Sequence, residues 1–489
     1  MSDPDFLSRL QKLQSRFTWD LRPEDLQLED LSVQLQHDID LELGQPGTVA
    51  YACRFLAYVR YLQCQPAEAL ELLNQSETKT REVYDDERRF IVMYGDMAWL
   101  KYHTEDLEEA QRLCQRVEDI LVRHPAAPDT LHPEVYGEKG WTLLKLSRSY
   151  YPEAKENFCK ALEMQPDDCE LNNGYAIVLY RMEEDDSGSS AEASPATRQL
   201  QRAVEINPRD GVLLSMLALK LMFNGNLEEV DKLVERALKV ARNNTQVIRY
   251  LAKYLRKRNR LDEAIKLLQD VLKMNTTSTF IHHQLAQCYI DKKKLLKKTQ
   301  PRRGDAIAPS WGLSDETARE IKRLRSLCIH HLEKTVQLKS GFKHAKAELA
   351  LQYAEMSDKE RAQQMFDEVL EGLEEEPWRI RYDIYRNYAT FCQYHTDNIG
   401  LAFTYYKKGN EILTSASEKS YLLKRMKEMA KTRLDSNWRD ATPYAILGYV
   451  AKEDGDWRAA EEYYEKALER DEDNTEYLSA LCELRLKLQ

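Results

Sequence analysis

Between Arg242 and Arg260 the chain carries seven Lys or Arg and no Asp or Glu, although its formal net charge is −11. Four of these cations, Arg249, Lys253, Arg256 and Arg260, recur at i, i+4, i+7 and i+11. At 3.6 residues per turn they fall within an arc of roughly 60° on a helix. Ile248, Leu251, Ala252 and Leu255 form an apolar stripe beside that arc, so one helix would pack through one side and present cations on the other. The stripe is expected to have no compensating acid at i±3 or i±4, which leaves its charges repelling one another until an anion binds. Tyr250 stands at the edge of the arc, and His283 and Gln284 follow in register 34 residues later. Cations that track phosphates beside planar side chains that stack on bases suit single-stranded nucleic acid. An acidic peptide held by its carboxylates fits the same charges and is the alternative reading, that of a scaffold or co-chaperone.

The elements that position these residues are legible as a repeat. Residues 211–244, 245–278 and 441–474 are each 34 residues long and share one layout. A small residue occupies the eighth position of each (Ala218, Ala252, Gly448), and Ala264, Ala460 and the looser Val230 occupy the start of the second helix. That is the tetratricopeptide pattern, two antiparallel helices per repeat stacked into a superhelical solenoid. Weaker copies fit around 50–83, 92–125, 134–168, 169–210, 279–341, 342–376 and 377–417. The predicted fold is therefore all-α, a tetratricopeptide solenoid with a central positively charged channel. Its expected divisions are an N-terminal helical segment (1–49), a lobe forming the channel (50–278), a repeat with a basic insertion acting as a pivot (279–341) and a C-terminal lobe (342–489). The segments 183–197 and 291–312 read as loops inserted into repeats, and 418–440 reads as one longer helix.

Composition limits the function. Nine scattered cysteines without a Cys-x-x-Cys pair read as reduced and mostly buried, in a cytoplasmic chain. No secretory signal and no apolar run long enough to cross a membrane is visible, so neither export nor a membrane is expected, and the three Asn-x-Ser/Thr matches read as chance. No phosphate loop, HExxH, GxSxG or metal-ligand spacing occurs, so no enzymatic activity is expected. The pairs His282–His283 and His330–His331 have no cysteine or carboxylate companion at ligand spacing, so no metal held by protein ligands alone is expected. In each pair one ring is expected to pack and the other to face solvent.

Several stretches carry a closer resemblance, among them FTWDL (17–21), EKGWTLLK (138–145), NNGYAIVLYR (172–181), IRYLAKYLRKR (248–258) and FIHHQLAQCY (280–289). With them the chain resembles the interferon-induced proteins with tetratricopeptide repeats along essentially its whole length. The resemblance implies an antiviral effector of innate immunity that binds the 5′ end of single-stranded RNA, bearing a triphosphate or a cap without ribose methylation, and sequesters it or blocks its translation. It implies phosphate contacts from Lys145 and Arg181, an aromatic at the same place in Tyr151, and Trp141 stacking on a cap guanine. Arg249, Tyr250, Lys253, Arg256, His283 and Gln284 match contacts to the following nucleotides. Gln34 and Asp38 match positions near the RNA end, and Asp38 stands where a glutamine is usual in relatives. A carboxylate there needs a nearby Arg or a divalent cation bridging the RNA phosphates, and no other cofactor is expected. Relatives often have a Gly-Gly turn where this chain has Ser147 and Arg148. Family paralogues are the further partners implied, and DNA is not expected.

Overall fold

The computed structural model describes residues 4–22, 28–40, 46–183, 194–222, 227–242, 244–273, 278–298 and 315–488. Among them there are helices and turns and no strand. The alternation of apolar and charged residues at helical spacing yields antiparallel helix pairs in the expected order. They are Pro46–Leu62 with Pro66–Val83, Ile91–His103 with Leu107–Arg123, Pro133–Leu146 with Tyr151–Met164, and Cys169–Met182 with Pro195–Ile206. Gly211–Leu221 then pairs with Leu227–Ala241, Thr245–Lys257 with Leu261–Leu272, and Thr279–Lys298 with Asp315–Leu338. The later pairs are Lys343–Glu355 with Lys359–Leu370, Trp378–Tyr394 with Ile399–Ile412, and Thr442–Glu453 with Trp457–Leu468. The longer helix is present as Ala416–Ser436, and Thr475–Leu488 ends the described chain.

The repeat positions pack as their sizes require. Ala218, Ala252, Val230, Ala264 and Ala460 are fully buried. A Cβ on Gly448 would lie 2.8 Å from the Tyr464 ring, so only glycine admits that crossing. Polar turn residues start helices within and between the pairs: Asp106, Asp168, Asp210, Asp358 and Asp456 each accept backbone N–H groups at a helix start.

The inserted segments differ from expectation at their edges. Residues 184–193 lie outside the described residues, but 195–197 are helix rather than loop. Ser194 caps that helix by accepting from Thr197 N at 3.2 Å, and Glu183 accepts from Ala196 N at 2.6 Å. In the second insertion, 299–314 lie outside the described residues, whereas 291–298 extend the preceding helix by two turns. Burial of Lys293 between Gln352 and Glu355, 2.6 Å from each, explains the extension. Of the cysteines, five are buried, three are exposed and one is half-buried, and all are free.

Contacts divide the chain into two compact units, Met1–Tyr250 and Leu251–Gln489, with the division inside helix Thr245–Lys257. The first is organised around a core containing Phe55, Leu56, Ile91, Met93, Leu143 and Phe158. Its N-terminal segment is locked by a buried ion network in which Arg16 reaches both Asp96 and Glu138. The second contains the fully buried Phe366, Phe391, Leu422 and Met426. No helix among the described residues is long and apolar enough to cross a membrane.

Candidate nucleic-acid interface

Within the Met1–Tyr250 unit, helices Pro46–Leu62, Pro133–Leu146 and Cys169–Met182 border a cavity of about 230 Å³. Trp141, Lys145 and Arg181 all line it. The half-buried Trp141 ring is set edge-to-face on Phe158, with centroids 5.5 Å apart. Phe158 itself fills the space left by Gly140 and Gly174 on the two flanking helices. Lys145 Nζ lies 5.6 Å from the Tyr51 ring centroid, and Arg181 Nη1 donates to the Leu144 carbonyl at 3.2 Å. One aromatic face and two cations thus share a wall. Burial pushes the Tyr51 phenol up to about 12, so it stays a neutral donor to Thr142 Oγ1 at 3.1 Å.

The same cavity holds charges that the sequence reading did not single out. Arg54 and Arg89 line it together with Glu134, Glu138, Asp168, Glu170 and Asp210, so its charge is mixed rather than uniformly positive. Most of these carboxylates are engaged. Glu138 pairs with Arg16 at 2.8 Å and Arg54 at 3.1 Å, Glu170 with Arg89 at 2.9 Å and with the Tyr84 hydroxyl, and Glu134 with Arg88 at 3.4 Å. Asp210 accepts from Val212 N and Leu213 N at 2.9 and 3.1 Å, and burial pushes its carboxyl up. A signal for Arg54 was present in YACRFLAYVRYL, because a cation inside an apolar run must find a buried partner.

Tyr151 begins helix Tyr151–Met164, half-buried against the core, and is not among the residues lining the cavity; Tyr51 supplies its aromatic wall instead. Gln34 and Asp38 belong to helix Leu28–Asp40, but their side chains lie outside the described residues. Ser147 is unstrained: at φ −158° its backbone is extended, and its hydroxyl accepts from Ser149 N.

The cationic stripe is shorter than the sequence spacing suggested. Asn259, in the left-handed region at φ 60°, turns the chain after Lys257, so Arg260 leaves the helix and pairs with Glu263 at 2.7 Å. That is the i+3 acid the stripe was expected to lack. Arg249, Lys253 and Arg256 remain on one helix, each half-buried. Arg256 donates to Gln287 Oε1 at 2.7 Å and lies 3.6 Å from Asp291. Tyr250 is only 8% exposed and meets Tyr180 edge-to-face at 5.9 Å. His283 is buried and bonds Glu348 Oε2 at 3.0 Å, while the buried Oε1 of Gln284 has no hydrogen-bond partner among the described residues. The pair His330–His331 divides as expected into an exposed and a buried ring. His282 and His283 do not: both are buried, and His282 Nδ1 meets His331 Nδ1 at 2.9 Å.

Known proteins resemble this chain along most of its length. The tetratricopeptide repeat profile matches residues 441–474. The human antiviral innate immune response effector IFIT1 is 30% identical over 465 residues, covering 94% of each chain. A solved monomeric IFIT1 mutant with Gppp-AAAA superposes with a TM-score of 0.80 at 30% identity, over 95% of this chain and 99% of that one. A human IFIT1 dimer with PPP-AAAA gives 0.76 at 29% identity, over 96% and 100% of the two chains. At this identity and coverage, the chain belongs to the family of interferon-induced proteins with tetratricopeptide repeats.

Proposed function

We propose that the protein is an antiviral effector that holds the 5′ end of single-stranded RNA, triphosphorylated or capped without ribose methylation, and thereby sequesters it or blocks its translation. The observation that carries the reading is the shared wall of Trp141, Lys145 and Arg181, an aromatic face beside two cations. The ring serves a base or cap guanine, and the cations serve the phosphates that follow. Arg249, Lys253 and Arg256, half-buried on one helix, are the cations assigned to the next nucleotides. Action is by binding alone, without turnover, in the cytoplasm. The structures solved with Gppp-AAAA and PPP-AAAA for IFIT1 support RNA 5′ ends over acidic peptides as the ligand class.

The test is a gel shift with otherwise identical RNAs carrying a 5′-triphosphate, a cap or a 5′-hydroxyl. One of the first two is expected to bind at least about tenfold more tightly than the hydroxyl form, a difference of about 1.4 kcal/mol, and Arg181→Glu or Lys145→Glu should erase the preference. Equal binding of all three, or an acidic peptide competing better than RNA, overturns the assignment.

A further inference from the structure

His283, His344 and Glu348 are far apart in sequence and adjacent in space. Helix Thr279–Lys298 supplies the first and helix Lys343–Glu355 the other two, including the carboxylate companion that sequence spacing did not reveal. Each offers one nitrogen or oxygen donor, and the three donor atoms lie within 4.8 Å of one another. His283 Nε2 stands 3.0 Å from Glu348 Oε2, and His344 Nε2 stands 3.2 Å from Glu348 Oε1. A tetrahedral ion with bonds of about 2.0–2.1 Å needs its ligand atoms about 3.3 Å apart. The two histidine–carboxylate separations are near that length but end on different oxygens of Glu348, so binding turns one carboxylate oxygen toward both rings. The i, i+4 spacing of His344 and Glu348 places both on one face of their helix, and His283 meets that face from the helix Thr279–Lys298.

The surroundings fit an ion as well as the donors do. His344 turns its other nitrogen toward Asp383 Oδ2, 3.8 Å away, an arrangement in which an outer carboxylate orients a metal-bound imidazole. Gln287 Nε2 donates to Glu348 Oε1, and the Phe342 ring packs 4.9 Å from that of His283. Burial by itself would raise the Glu348 carboxyl, but the two imidazoles hold it well below the usual carboxylate range, so it is ionised at neutral pH. Burial also works against a charged His344, yet Glu348 and Asp383 raise it above its ordinary value. The same carboxylates that favour a proton there would favour a cation.

We propose that His283, His344 and Glu348 bind a divalent first-row transition ion of the zinc type, with the fourth position open to water or an anionic oxygen. Two imidazoles and one carboxylate select such an ion over Mg²⁺ or Ca²⁺, which prefer all-oxygen shells. The site stands independently of the RNA reading, since its test contains no RNA.

The experiment uses the full chain, stripped with a chelator and titrated with Co²⁺ alone, then back-titrated with Zn²⁺. The expected result is one equivalent per chain giving tetrahedral d–d absorption without sulfur-to-cobalt charge transfer, a distinction needed because nine cysteines are present. His344→Ala should abolish the band. Glu348→Gln, which preserves shape, should remove it while far-UV circular dichroism stays unchanged, and Asp383→Asn should weaken binding by about 10–100-fold. Should His344→Ala fail to fold, the glutamine and asparagine variants decide. No d–d band, a thiolate band, or a band unaltered by Glu348→Gln would show an ordinary histidine–carboxylate network and overturn the proposal.

Discussion

Replacing Gly174 by alanine tests whether helix packing sets the geometry of the candidate interface. An ideal Cβ there would stand 2.4 Å from both Cε1 and Cζ of Phe158, about 1 Å inside ordinary contact. The same ring edge lies close to a second helix, 3.1 Å from where a Gly140 Cβ would stand, so relief needs the ring or a helix to shift. Overpacking of this kind costs about 3 kcal/mol at the upper end, and the better helix propensity of alanine returns about 0.5–1 kcal/mol. The net destabilisation should be about 2 kcal/mol, roughly a 30-fold change in the folding equilibrium. Relief by moving helix Cys169–Met182 would carry Arg181 away from Trp141 and Lys145, so affinity for a 5′-triphosphate RNA should fall with stability. Shortening the ring by Phe158→Leu should rescue the glycine variant, and a double-mutant cycle should show coupling above about 1 kcal/mol. Hydrogen exchange of peptides covering 133–182 measures it, with peptides from 343–370 as the unchanged reference. Additive single and double substitutions, with coupling below about 0.5 kcal/mol, would refute the argument that the ring is wedged between the two glycines.

Three further outcomes are expected. Asp96→Ala leaves the Arg16 guanidinium, 1% exposed, with only Glu138, and should destabilise the chain by about 3–5 kcal/mol in urea unfolding. Arg181→Ala should make the slope of log affinity against log salt shallower by about 0.7, the share of one phosphate on a single strand, measured by fluorescence anisotropy. The raised His344 stabilises the fold fully below the ordinary histidine value of about 6.5 and loses that contribution as pH rises through its folded value. In chelator-containing buffer the wild-type melting temperature should therefore decline as pH rises from about 6 towards about 8, and Glu348→Gln should flatten the decline, as read by thermal scanning.

The sequence alone determined the helix pairs, because a small residue at one crossing and a 34-residue period are local requirements of close packing. Ala218, Ala252, Ala264, Gly448 and Ala460 could be named without coordinates for that reason, and Trp141, Lys145 and Arg181 because whole motifs carried them. The edges of the insertions were not legible. A run of lysines after Asp291 reads as a solvated loop, yet Gln352 and Glu355, 59 and 62 residues further along, bury and neutralise Lys293 on a continuing helix. Charge periodicity likewise placed Arg260 on a helix that Asn259 ends, and put Tyr250 at the edge of the cationic arc, where it is buried beside Tyr180. Tertiary structure also decided the partners of the cavity acids and the meeting of His283 with His344 and Glu348. Helical periodicity fixes which side of one helix is apolar, but ion pairs and donor clusters form between helices, and only their packing sets those distances.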